Sequence, residues 1–181
     1  MNSVPLFEKN NIRLIPYDLE HDQQTVEWLN SSELRETFGL TRTITLESHR
    51  QWIESSPDVL KWAIGDENKI HSGNVLLHCI WLHRSAYFQI YLGNSHARGR
   101  RIGSTALGVV LDHAFSNLGL HRVWLHTLIG NVPAERMYEA AGFVREGIER
   151  EAILRDGIFY SQARWSLLAN EWLSENRSRT P

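Results

Sequence analysis

Cysteine is almost missing from this chain: Cys79 stands alone among 181 residues. No internal disulfide is possible, and the chain suits a reducing compartment. Cys79 lies in the apolar run Val75-Leu-Leu-His-Cys-Ile-Trp81, where a buried, inert thiol is expected. No Cys/His group has zinc-ligand spacing, so no metal is expected. The first residues lack the basic-then-apolar pattern of an export signal, and no apolar run approaches the length of a membrane span. The expectation is a soluble, cytoplasmic protein that needs no membrane. An excess of basic charge is also lacking. Nineteen Lys and Arg face 21 Asp and Glu, for a net charge of −2 with nine His neutral. This excludes a general nucleic-acid binder. No Gly-x-x-x-x-Gly-Lys-Ser/Thr segment occurs, which argues against a P-loop nucleotide enzyme. Internal repeats and low-complexity linkers are absent too.

What remains is ordinary globular composition, 42% hydrophobic and 22% charged, with seven Trp to bury or to line a cleft. A single domain over 1–181 is expected, with a polar tail, 174–181, that frays. Asn11–Tyr17 alternates and reads as a first strand. Asp18 caps a helix that carries Val26 and Leu29 inward. Residues 30–45 read as polar and irregular, and hold Glu33, Glu36 and Phe38. Thr45, with Ser48 three residues later, caps a short helix bearing His49, Trp52 and Ile53. Strands follow at 59–64, 70–82 (with a bulge at Ser72-Gly73) and 86–92. Their short turns make them antiparallel. A helix from Ile102 to Leu118 ends at Gly119, and a strand runs to Leu128. Strand–helix–strand across 86–128 implies a right-handed crossover and parallel pairing. Asn131 caps the next helix, which ends at Gly142. Two last strands flank Arg155-Asp-Gly157, a hairpin turn. The fold class is therefore α/β (α+β). One mixed, largely antiparallel sheet of about seven strands carries a central parallel β-α-β unit and flanking helices.

The stretch His96-Ala-Arg-Gly-Arg-Arg-Ile-Gly-Ser-Thr-Ala106 sits between that unit's first strand and its helix. Gly99 and Gly103 allow a tight turn and close approach to a ligand. Ser104 and Thr105 fall in the first helical turn, where backbone N–H groups lack intrahelical partners. With Arg98, Arg100 and Arg101 nearby, the turn suits a phosphate. On a near-neutral background it fits a small anionic ligand better than a polymer. A solvated basic turn that merely starts a helix is the competing reading.

These residues resemble the GNAT superfamily of acyl-CoA N-acyltransferases, in particular its ribosomal-protein, polyamine and amino-sugar acetyltransferase branch. Arg98-Gly-Arg-Arg-Ile-Gly103 fills the family's Gln/Arg-x-x-Gly-x-Gly/Ala motif, with Arg101 where the family usually has Gly. Asn131, Ala134, Tyr138, Gly142 and Phe143 match a second segment, and the chain from Glu146-Gly to Tyr160 matches the branch ending. The resemblance implies that acetyl-CoA is the co-substrate. It implies that Leu92, Arg98, Gly99, Arg100, Arg101, Ile102, Gly103 and Ser104 bind it, and that Asn131 orients it or the strand beside it. It also implies that Tyr138 protonates the departing thiolate.

An attacking amine must lose a proton. His126, Glu33 and Glu36 are candidates to receive it, and Glu36 and His126 stand with Tyr138 as the expected catalytic residues. His78 and Gln89 lie on neighbouring strands. Acidic loop residues would also help to bind a cationic acceptor. Phe38, Trp52, Trp81 and Tyr87 suit stacking on a sugar or base, though core packing is the commoner fate. The acceptor stays open between amino sugars, polyamines, peptide N-termini and antibiotic-like amines. A non-catalytic acyl-CoA sensor is the alternative, opposed by the presence of Asn131 and Tyr138. Monomer and homodimer are equally compatible.

Overall fold

The computed structural model describes residues 4–38 and 40–179. Among the described residues, eight strands form one mixed sheet, in the order β1-β2-β3-β4-β5-β6-β8-β7. They are β1 (Phe7–Lys9), β2 (Ile12–Pro16), β3 (Val59–Gly65), β4 (His71–Ile80), β5 (Ser85–Leu92), β6 (Arg122–Leu128), β7 (Val144–Arg155) and β8 (Ile158–Leu168). The helices are α1 (Asp22–Leu29), α2 (Ser32–Phe38), α3 (Leu46–Glu54), α4 (Ile102–Asp112), α5 (Val132–Ala140) and α6 (Ala169–Arg179). The expected seven strands become eight because three residues, Phe7–Lys9, pair with β2 across a turn in which Asn10 and Asn11 both have positive φ, 52° and 62°. Asn tolerates that left-handed conformation, which a tight two-residue hairpin requires.

Two compact units make up the chain. One comprises the chain up to Leu77 together with Gln89–Ala106; the other comprises His78–Phe88 and the chain from Leu107 onward. In the first unit, β2 pairs antiparallel with β3, and its alternation buries Ile12 and Leu14. Trp62, Ile64 and Val75 are fully buried beside them. Each such side chain removed from water stabilises the fold by about 1.5–3 kcal/mol. Gly73 is required by close packing: a Cβ there would lie 2.2 Å from the Tyr91 carbonyl oxygen. The capping expectations hold. Asp18 closes a capping box on a short 3₁₀ turn before α1, and Thr45 closes one with Ser48 on α3.

Residues 30–45 are more ordered than the sequence suggests. Ser32–Phe38 is a helix, which buries Leu34. Ser31 accepts at its carbonyl from Arg35 N–H (3.0 Å) and at its hydroxyl from Leu34 N–H (3.4 Å). Asn30 then fastens the following segment. Its amide donates to the Ile44 carbonyl (2.7 Å) and its side-chain oxygen accepts from Ile44 N–H (2.9 Å).

In the second unit, β5 and β6 are parallel, as the crossover requires. Their ladder is short, pairing Ser85, Ala86 and Tyr87 with Arg122, Val123 and Trp124. β6 alternates burial regularly and pairs antiparallel with β8, which pairs with β7. The hairpin between β7 and β8 turns at Asp156-Gly157, both with positive φ. α4 gives way at His113–Asn117 to a wider π turn, and Gly119 leaves it at φ +64°. Helix α6 runs to Arg179, past Ser174 where fraying was expected; Thr180 and Pro181 lie outside the described residues. Trp172 anchors it by donating to Asp112 Oδ1 (2.9 Å).

Candidate active site

The Gly- and Arg-rich turn belongs to the first unit. β5 ends at Leu92, a 3₁₀ turn capped by Asn94 follows, and α4 begins at Ile102. Within the turn, Gly99 has φ +72° and Arg101 has φ +59°. Left-handed residues between ordinary ones turn successive N–H groups to one side, a concavity suited to an anion. The first helical bond is Thr105 N–H to the Arg101 carbonyl (2.9 Å), so the N–H groups ahead of Thr105 form the open helix start. Ser104 donates its hydroxyl to the same carbonyl (3.0 Å). Arg101 therefore occupies the backbone conformation that glycine adopts freely.

The arginine side chains already have acidic partners. Arg98 donates to Glu33 on α2 and to the Leu92 carbonyl (3.0 Å). Arg100 donates to Glu67. These ion pairs are partly exposed, so each contributes little and is readily exchanged. Glu33 is thus brought to Arg98 rather than left as a solvated loop charge.

A cavity of about 370 Å³ lies in the same unit. Its walls come from α1, α2, α3, the segment after α2, and strands β3, β4 and β5. Gln89 and Tyr91 reach it from the strand that leads into the arginine turn. Much of the wall is apolar, with Leu29, Phe38, Ile44, Trp52 and Ile53 prominent. Part of the polar lining is joined by hydrogen bonds, in two groups around Tyr17 and Asn74. Tyr17 donates to the buried Asp22 (3.2 Å) and lies 2.9 Å from His49 Nε2. A phenol has one proton, so His49 donates to the Tyr17 oxygen in this arrangement. Arg50 donates to the other Asp22 oxygen (2.8 Å) and balances its charge. Asn74 donates to Thr25 (2.8 Å) and to Tyr91 (2.7 Å), and bonds His71 (2.8 Å).

Burial sets the protonation states here. It raises Tyr17 well above an ordinary phenol and raises Tyr91 to about 12, and it lowers His49 and His71. Both histidines are neutral at pH 7. Lys61 ties down the end of α3, donating to the Ser56 carbonyl (2.9 Å) and the Ile53 carbonyl (3.3 Å) beneath the Trp52 ring.

The second unit holds Tyr138, His126 and Asn131. Tyr138 is buried against Phe143, 5.5 Å between rings, and burial raises its pKa, with the Tyr87 phenol adding to the shift. His126 lies 5.7 Å from the Tyr87 ring and bonds Glu149 Oε1 (3.2 Å). Gln162 also donates to Glu149 (2.6 Å), so His126 belongs to a cross-strand polar cluster. Asn131 caps α5, accepting from Ala134 N–H (3.4 Å). Glu36 is exposed on α2. Cys79 is buried, as expected.

Sequence reasoning named Gln89, Phe38 and Trp52 and missed Tyr17, Asp22 and Asn74. Tyr17 and His49 are 32 residues apart and meet only when α3 packs on the end of β2. The one available signal was His49 on the same face as Trp52 and Ile53.

A mixed sheet whose two parallel strands are connected along the chain through a glycine- and arginine-rich helix start is the scaffold of an N-acetyltransferase. The chain belongs to the GNAT acetyltransferase family, whose Acetyltransferase (GNAT) domain matches residues 11–144. Spermidine N(1)-acetyltransferase of Vibrio cholerae serotype O1 is 34% identical over 119 residues, 65% of this chain and 67% of that protein. An N-acetyltransferase 9-like protein of Nematostella vectensis is 26% identical over 160 residues, 80% of each chain. The crystal structure of spermidine N-acetyltransferase from Vibrio cholerae in complex with CoA and spermine superposes with a TM-score of 0.85 at 22% identity, over 91% of this chain and 99% of that one. A dodecameric structure of spermidine N-acetyltransferase from Vibrio cholerae gives 0.80 at 22%, over 92% and 99%. At that identity the structural likeness establishes the fold.

Proposed function

We propose that this acetyltransferase moves the acetyl group of acetyl-CoA directly onto a primary amine, with both bound at once. The arginine turn carries the reading. Gly99 and Arg101 are left-handed immediately before the open start of α4, and three arginines surround them. That backbone fits a pyrophosphate. Amides of Gly99 to Ser104, among them Ile102 and Gly103, would hold it, with Arg98 and Arg100 exchanging Glu33 and Glu67 for phosphate oxygens. Leu92 ends the strand that leads the cofactor in, and Asn131 fixes the start of α5.

In the reaction the amine nitrogen, as free base, attacks the thioester carbonyl. A C–N bond forms, the C–S bond breaks, one proton leaves the nitrogen and the thiolate takes one up. Tyr138 serves the thiolate. A phenol raised above 10 is a weaker acid than a thiol near 8.5, so its contribution is a hydrogen bond to the developing charge rather than complete transfer. His126 and Glu36 are candidates to receive the amine proton.

The similarity to spermidine N(1)-acetyltransferase makes a polyamine the first acceptor to assay. The test is release of free thiol from acetyl-CoA in the presence of an amine panel. Amine-dependent release supports transfer. Tight CoA binding with no release for any amine supports a sensor instead.

A further inference from the structure

We infer that the acceptor taken by the first-unit cavity is a monoamine on an apolar or aromatic body, not a linear polycation; this rests on the acetyltransferase reading above. Among the described residues that line the cavity none is a carboxylate, and the one charged residue is the cation Lys61. A polyamine entering it would bury several ammonium groups without anionic partners, which is unfavourable. The nearest buried carboxylate, Asp22, is already paired with Arg50 and bonded by Tyr17. It answers one positive charge and has it.

The walls suit a different molecule. Leu29, Ile44, Ile53 and Val75 offer aliphatic surface. Phe38 lies edge-on to Tyr91, 5.5 Å between rings, and Trp52 stacks on His49 at 6.1 Å, so the aromatic walls are held in place. The same cavity carries hydrogen-bonded polar groups, Tyr17 with His49 and Asn74 with Thr25 and Tyr91. One amino group bonds there while its body lies against the apolar wall. Neutral His49, hydrogen-bonded to Tyr17 and backed by Asp22, is a positioning group for that nitrogen. The volume of about 370 Å³ accepts a body of roughly a dozen heavy atoms.

The experiment compares 2-phenylethylamine with spermidine as acceptors for the full chain, by thiol release from acetyl-CoA, alongside calorimetric binding of each amine. The expected result is kcat/KM at least 10-fold higher for 2-phenylethylamine. Trp52→Ala should raise its KM about 10-fold with little change in kcat. Ser48→Glu adds a carboxylate to the wall at a first-turn position where Glu also serves a capping box, so the helix is retained. It should narrow the preference by improving spermidine. A spermidine preference in the unaltered chain overturns this inference and leaves the acetyltransferase reading standing. Thiol release for neither amine, with 2-phenylethylamine failing to bind, overturns the inference too. Binding of 2-phenylethylamine that Trp52→Ala weakens, with thiol release for no amine of the panel, supports the pocket's chemistry and overturns the transfer reading instead.

Discussion

Replacing Arg101 by glycine separates what the residue does by its backbone from what it does by its charge. At φ +59° an L-residue is held in a region that costs about 1–2 kcal/mol. Glycine removes that cost, but adds about 0.5–1 kcal/mol of backbone freedom to the unfolded chain. The net expectation for Arg101→Gly is a gain of about 0.5–1 kcal/mol. At roughly 2–4 °C per kcal/mol for a chain of this size, Tm should rise by about 1–4 °C. Arg101→Ala keeps the left-handed strain and loses the charge, so it should show no such gain. Chemical denaturation measures both, with an unchanged m-value required for the comparison. Acetyl-CoA titration of the same two variants reports on the charge. If the guanidinium reaches a phosphate, both lose affinity equally and the loss shrinks in high salt. The reasoning is refuted if Arg101→Gly is no more stable than Arg101→Ala.

Arg98→Ala should weaken acetyl-CoA binding about 10–100-fold by calorimetry, the value of a charge-assisted bond, while Tyr138→Phe should lower kcat about 100-fold with the cofactor Kd unchanged. Equal effects of the two on Kd alone would sink the role given to Tyr138. Hydrogen bonds from Arg122 hold Glu146 down at about 2, against an ordinary 4.5. The unfolded chain binds that proton first, so the pair's stabilisation is present above pH 4.5 and is lost as pH falls toward about 2. With the Glu146 side chain 36% exposed, solvent screening reduces the effect to about 1 kcal/mol. Acid titration of Tm should be flatter over that window in Glu146→Gln. Gly73→Ala forces a methyl onto the Tyr91 carbonyl and should cost about 1–3 kcal/mol or more, read as a fall in Cm.

Local chemistry made much of this protein legible. Alternation at Ile12 and Leu14, the caps at Asp18, Thr45 and Asn131, the glycine ends at Gly119 and Gly142 and the Asp156-Gly157 turn are each decided within a few residues. So is the anion-suited turn, because glycines, arginines and a helix start adjoin in the chain. Its parallel setting followed from the crossover rule alone. Strand β1 and helix α2 escaped notice for opposite reasons. Phe7–Lys9 is too short to show a period, and α2 is polar except for Leu34 and Phe38, so its inner face is only two residues wide.

The acceptor side was decided by tertiary structure. Tyr17, Asp22, His49, Asn74 and Tyr91 are scattered over 75 positions, and none belongs to a motif. Their meaning comes from burial, which sets the proton on each ring, and from hydrogen bonds that exist only once α1 and α3 pack on the strands. Arg101 shows the same division. The sequence by itself marked it as a departure from glycine. Only the folded turn revealed that its backbone is left-handed, since φ at one residue is fixed by how the segments on either side are held.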